Sequence, residues 1–161
     1  MEINFLALLV AALSALAIRY IWFNPKVFGK IWMKESGLTL EKMKGANIPI
    51  IVIMMLFFAF LMTLVLQTIT IHQWGAFSMI GGGNAVNIKP SYIAFMSDYG
   101  TSFRTFKHGA LHGFITGLLF VFPMIATNAL FERKSWKYTF INSGYWALSF
   151  IVMGGIICAW Q

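Results

Sequence analysis

The apolar positions of the chain fall into four long runs: Ile3–Phe23, Ile48–Thr70, His108–Phe131 and Tyr138–Trp160. A helix needs about 20 residues to cross a hydrocarbon core of about 30 Å, and each run is long enough. The last three contain no Asp, Glu, Lys or Arg, and the first contains only Arg19. The pattern predicts an all-α integral membrane protein, residues 1–161 forming one domain with four transmembrane helices. Their ends are punctuated. Asn24-Pro25 closes the first run, Asn47-Ile48-Pro49 opens the second, and Glu132-Arg133-Lys134-Ser135 separates the third from the fourth as a tight antiparallel hairpin. Ala15-Leu16-Ala17 imitates a cleavage site after the first run, but Glu2 stands where a signal peptide carries basic residues, so an uncleaved helix is expected.

Two stretches between the runs have their own patterns. After Pro25, Val27, Phe28, Ile31 and Trp32 recur on one helical face while Lys26, Lys30 and Lys34 repeat at i, i+4 and i+8. This predicts an amphipathic helix lying in the interface, its lysines toward anionic lipid. Ser36-Gly37-Leu38-Thr39 then reads as a helix stop and a new cap, with Glu41 in the next first turn. The connection 71–107 carries Gly81-Gly82-Gly83-Asn84, which lacks the Gly-Lys-Ser/Thr ending of a phosphate loop. Its aromatic residues, including Trp74, Tyr99, Phe103 and Phe106, predict that it folds back on the helix ends or on a neighbouring subunit.

Composition removes the soluble alternative. The 161 residues are 59% hydrophobic and 11% charged, against about 45–50% and about 25% in soluble domains. A single cysteine, Cys158, excludes an intramolecular disulfide framework and a Cys-rich zinc fold. The net charge of +7 is unevenly placed. Lys26, Lys30, Lys34, Lys42, Lys44, Arg133, Lys134 and Lys137 fall on one side of the predicted topology, against Lys89, Arg104 and Lys107 on the other. The positive-inside rule then puts the first and third connections in the cytoplasm, with both termini and the middle connection outside. Such scattered basic residues give no nucleic-acid footprint.

Within the spans, small and polar residues carry the remaining information. Gly109, Gly113 and Gly117 form two overlapping GxxxG steps, and Ala7, Ala11, Ala15 and Gly154-Gly155 are further close-approach candidates. Such lines pack helices within a bundle or between subunits, and a homo-oligomer is expected. Beside the glycines run His108, His112 and Thr116, continued by Pro123 and Thr127 with Asn128 adjacent. Two histidines one turn apart can share a metal ion, but a site needs a further ligand. His72, Asp98 or a methionine sulfur are the apparent donors. The pair could otherwise ligate haem, bond to neighbouring helices, or line a solvated site that Arg104 and Lys107 make attractive to anions.

Thr63, Gln67 and Thr70 on the second span, and Tyr138, Asn142, Tyr145 and Ser149 on the fourth, would meet that stripe if every polar line faced inward. They would form either a wettable cavity or interhelical hydrogen bonds. Arg19 is close enough to its helix end to snorkel, with Glu132 the partner it would take if it stays inside. The ten methionines are scattered and read as gap fillers. No carboxylate or nucleophile–base pair accompanies the histidines in the spans, so no enzyme is expected.

Several segments together look familiar: Trp22-Phe23-Asn24-Pro25-Lys26-Val27-Phe28-Gly29-Lys30-Ile31-Trp32-Met33, His108-Gly109-Ala110-Leu111-His112-Gly113, Asn128-Ala129-Leu130-Phe131-Glu132, Asn142-Ser143-Gly144-Tyr145-Trp146 and Met153-Gly154-Gly155. The chain resembles the bacterial small membrane proteins called domain of unknown function 1761, apart from a larger middle connection. The resemblance implies a four-span bacterial membrane protein and brings no established activity, cofactor or catalytic residue; the bacterial cytoplasmic membrane is the expected location. The expected function is a channel, transporter or small-molecule-binding membrane protein using His108, His112, Thr116, Gln67, Asn142, Tyr145 and Arg104. The alternatives are a non-catalytic scaffold subunit and a metal- or haem-site protein built on the histidine pair.

Overall fold

The computed structural model describes residues 2–82 and 88–161, so Gly83 and Asn84 of the glycine run lie outside the described residues. In chain order the helices are α1 (Phe5–Trp22), α2 (Gly29–Ser36), α3 (Leu40–Met43), α4 (Ile48–Thr70), α5 (Gln73–Met79), α6 (Pro90–Tyr99), α7 (Phe106–Thr116), α8 (Phe122–Phe131) and α9 (Trp136–Ala159). A π-helical turn, Gly117–Val121, joins α7 to α8. Among the described residues, four helices are therefore long and apolar enough to cross a membrane: α1, α4, the continuous α7–α8 and α9. Each starts at a side-chain cap. Asn4, Asn47, Thr105 and Ser135 accept from the amides of Ala7, Ile50, His108 and Tyr138, satisfying donors that the first helical turn leaves free.

The packing is arranged for a lipid solvent. α9 is the least apolar of the four, yet half of its most apolar stretch is buried; α4 is the most apolar, and only 11% of the corresponding stretch is buried. The most apolar helix is thus among the most exposed, and the helix richest in polar and small residues is the centre on which α1, α4 and α7–α8 all pack. Leu8, Ala11, Ala12 and Ala15 of α1, Ala59 and Leu66 of α4, and Phe150, Met153 and Ile157 of α9 form the core.

The glycine line packs within the chain. A Cβ at Gly109 would collide with the Gly154 carbonyl, one at Gly113 with the Phe150 carbonyl, and one at Gly117 would lie 2.7 Å from Ala147 Cα. These three positions therefore let α7 press backbone to backbone on α9, as small residues do between membrane helices. At the far side of the π turn the helix changes register. Pro123 has no amide to donate, and its ring crowds the carbonyl four residues back. The turn widens, and Phe122 N–H bonds to the Gly117 carbonyl, five residues back. One extra residue rotates the rest of the helix by roughly 100°, so the His108–His112–Thr116 stripe does not continue as expected: Thr127 and Asn128 are exposed.

α2 begins three residues later than the lysine spacing would have it start. Asn24 ends α1 in a hydrogen-bonded turn, its side chain accepting from Lys26 N–H and its carbonyl from Val27 and Gly29. Lys26 therefore precedes the helix. Lys26, Lys30 and Lys34 point away from the core, but of the four apolar residues only Phe28 and Trp32 turn inward, Val27 and Ile31 remaining exposed. The Trp32 indole N–H donates to Asn142 Oδ1 at 3.2 Å, and the end of α2 is fastened to the α8–α9 connection, where Ser135 Oγ bonds to Glu35 and Lys134 Nζ donates to the Ser36 carbonyl at 3.2 Å.

Replacing Gly113 by Ala should destabilise the protein by about 1–3 kcal/mol, the usual range for overpacking, as read by unfolding in detergent. Gly75→Ala, where a Cβ meets nothing within 4 Å, should leave stability within about 0.5 kcal/mol of the parent. Equal behaviour of the two variants would remove the close contact as a source of stability.

Candidate functional site: a three-histidine cluster

The contact between Gly109 and Gly154 sets the geometry of the site. Gly154 also packs on Thr70, the last residue of α4, its added Cβ lying 3.3 Å from Thr70 Cγ2. Thr70 is two residues before His72, and Gly109 directly follows His108. Three helices meeting at one point thereby bring together histidines 36 residues apart in sequence. His108 Nε2 and His72 Nε2 are 3.0 Å apart. The His108 and His112 rings have centroids 4.6 Å apart, and those of His72 and His112 are 5.0 Å apart. One nitrogen from each of the three rings falls within 4.8 Å of the others.

The chemistry of this donor set fits a transition metal. Metal–imidazole bonds of about 2.0–2.1 Å place the nitrogens of a tetrahedral site about 3.4 Å apart, against separations of 4.8 Å or less here. His72 and His108 share a hydrogen bond, one donating and one accepting. Among the described residues this is the only hydrogen bond made by a ring nitrogen of the three, and the His112 ring makes none. His72 is exposed while His108 and His112 are half-buried, so the cluster sits at the mouth of the bundle.

The other expected site residues are dispersed. Thr116 does not extend the site, since its hydroxyl donates to the His112 carbonyl at 2.8 Å. Asp98 is exposed and is not part of the cluster. Arg104 instead closes the end of α9: its Nε donates to the Cys158 carbonyl at 2.9 Å and Nη2 to the Trp160 carbonyl at 2.5 Å. A cation there satisfies free carbonyls and complements the negative end of the helix dipole. Gln67 is buried and lines a small cavity with Glu2, Asn4, Trp74, Arg104 and Trp160.

Asn142 and Tyr145 stand at the opposite end of the bundle, because α9 runs antiparallel to α7. Asn142 accepts from Trp32 and donates to the Tyr138 carbonyl; the Tyr145 hydroxyl donates to the Ala15 carbonyl at 3.2 Å. The pairing of Arg19 with Glu132 is not made. The Arg19 guanidinium lies over the rings of Phe23 and Tyr145, 4.7 and 5.7 Å from their centroids. The hydroxyls of Thr63, Thr70, Thr139, Ser143 and Ser149 bond to carbonyls of their own helices rather than across to neighbours. Among the described residues, these hydroxyls therefore do not form an open polar line through the bundle.

These features define a four-helix membrane-type bundle with a histidine cluster at one mouth. Residues 6–158 match the family described as protein of unknown function (DUF1761), and the chain belongs to that family. No curated protein and no solved structure matches the chain.

Arg104→Met should weaken the end of α9 that carries Cys158 and Trp160. Hydrogen bonds to charged groups contribute about 1.5–3 kcal/mol, and a loss of that size should appear in detergent unfolding, with faster amide exchange in the last turn of α9. Unaltered exchange there would show that the guanidinium does not hold this end.

Proposed function

We propose that this protein is a membrane-embedded binder of a late first-row divalent transition metal ion, held by His72, His108 and His112. The observation that carries the proposal is the convergence of three imidazoles whose nitrogens have no partners beyond one another among the described residues. The donor groups elsewhere at this mouth, on Arg104, Gln73 and Cys158, are committed to backbone carbonyls, and the buried Oε1 of Gln73 has no partner among the described residues. Neutral imidazole suits zinc, copper, nickel and cobalt, whereas magnesium and calcium take oxygen ligands. Three protein ligands leave a tetrahedral ion one further position. With no carboxylate in the cluster, the reading is of binding rather than catalysis, and an ion there would also staple α4 to α7.

The same proposal gives the molecule an orientation. The lysine-bearing end, with Lys26, Lys30 and Lys34 directed away from the core, faces the cytoplasm and the anionic headgroups of a bacterial inner membrane. The histidines and both termini face the other side, so the ion is taken from outside the cell membrane.

Two measurements test this reading. Titration of the full chain in detergent with Zn²⁺ or Co²⁺ should give one ion per chain, and His72→Ala or His108→Ala should weaken binding at least tenfold, since losing even an outer partner of a ligand costs about 10–100-fold. Asn142→Ala, at the opposite end, should leave affinity unchanged. Stoichiometric binding that survives both histidine replacements would defeat the site. For the orientation, single cysteines at positions 26 and 30 in a Cys158→Ala background should react with a membrane-impermeant reagent only from the cytoplasmic side; labelling from outside in intact cells would reverse it.

A further inference from the structure

Phe103 has an unusual backbone conformation. Its φ is 63°, in the left-handed region where a bulky aromatic residue is a rare outlier. The segment around it is clamped rather than loose. Buried Gln73 donates from Nε2 to the Tyr99 carbonyl at 2.7 Å and the Ser102 carbonyl at 3.0 Å. The Phe103 carbonyl accepts from Thr105 N–H at 2.8 Å and lies 3.3 Å from the buried thiol of Cys158. Arg104, next in the chain, is pinned to the end of α9. Strained residues held by their surroundings in this way concentrate at functional sites.

Neither core burial nor turn chemistry accounts for a phenylalanine here. The residue is 67% exposed, and a left-handed turn position favours glycine or asparagine. What the clamp achieves is to hold the ring against the histidines, its centroid 5.1 Å from that of His108 and 6.4 Å from that of His72.

We infer that Phe103 is a specificity-determining residue of the metal site: its ring screens the remaining coordination position and limits which exogenous ligands reach the ion. The inference rests on the three-histidine reading above. Phe103 donates no ligand atom, so its removal opens the site without dismantling it. An apolar face beside the fourth position disfavours bound water and hydrated anions, consistent with a centre that holds an ion rather than one that activates water for hydrolysis.

The test uses the full chain in detergent, loaded with Co²⁺ and titrated with azide, reading the visible ligand-field bands. The variant is Phe103→Gly, which adopts the left-handed conformation freely; Phe103→Asn, also tolerated there, serves if the glycine variant folds poorly. The expected result is Co²⁺ affinity within about threefold of the parent and azide affinity raised at least tenfold. Unchanged azide affinity would overturn the screening role, and so would a fall in Co²⁺ affinity as large as that of His72→Ala, since the ring would then be building the ligand set. If the parent chain binds no Co²⁺ or Zn²⁺, the metal reading fails and this inference falls with it. A parent that binds Co²⁺ with an unresponsive Phe103 variant overturns this inference alone.

Discussion

The whole arrangement depends on the backbone approach of α7 to α9 at Gly109 and Gly154. In lipid there is no hydrophobic gain from pressing leucine on leucine, so helix contact must come from surfaces that fit closely. A side chain at Gly109 would meet the Gly154 carbonyl directly, and Gly154 packs in turn on Thr70 at the end of α4. This crossing therefore fixes three helices relative to one another at one height. His108 stands on α7 beside it, and His72 lies in the short connection two residues past the end of α4, so helix packing sets the position of the first and the anchor of the second. Sites built on packed elements hold their geometry better than sites on loops.

Away from that crossing, the polar residues of the spans are mostly occupied with their own helices. A hydroxyl can return to a carbonyl three or four residues back at little cost, and the threonines and serines of α4, α7 and α9 do so. The larger groups act between elements instead. Trp22 donates to the Ile141 carbonyl at 3.0 Å and Trp32 to Asn142, tying the lysine-bearing end of the chain to the start of α9. Arg19 stays half-buried by resting on the faces of Phe23 and Tyr145, a cation–π contact that replaces an acidic partner.

The four spans were legible in the sequence because lipid imposes a length and an apolarity that few other constraints imitate, and Asn47 marked the start of the second. The glycine line was equally legible, but its partner was not, since GxxxG reads the same whether the opposing helix belongs to the same chain or another. The histidine pair stood out through its i, i+4 spacing. His72 carried a much weaker signal: it lies just past the end of a different span, and no periodicity links it to His108. The expectation that Asn142 and Tyr145 join the histidines failed on direction, since residues early in one helix and early in its antiparallel neighbour lie at opposite ends. The stripe toward Thr127 failed on register, because Pro123 converts one turn to a π turn and rotates everything beyond it. Phe103 was legible only as one of the aromatics expected to fold back on the helix ends, for a left-handed phenylalanine is recognised only once the chain around it is placed.

The two mouths of the bundle show different economies of polar groups. At the lysine-bearing mouth, Ser135 and Glu35, Lys134 and the Ser36 carbonyl, and Trp32 and Asn142 are matched donor to acceptor, which is how a structural junction closes. At the other mouth Arg104 and Cys158 are matched in the same way and Gln73 donates to two carbonyls, although its buried Oε1 has no partner; the three histidines are bonded through their rings only by the single contact of His72 with His108, among the described residues. Interhelical polar contacts contribute only about 0.6 kcal/mol on average in membranes, so joining α4 to α7 does not require three imidazoles. A bound metal ion would use all three, engaging nitrogens that no backbone group or hydroxyl of the described residues has claimed. Binding by the folded chain alone stabilises it in proportion to RT ln(1 + [metal]/Kd). The ion would thereby strengthen the α4–α7 contact at the mouth where the close packing of α7 on α9 has already positioned its ligands.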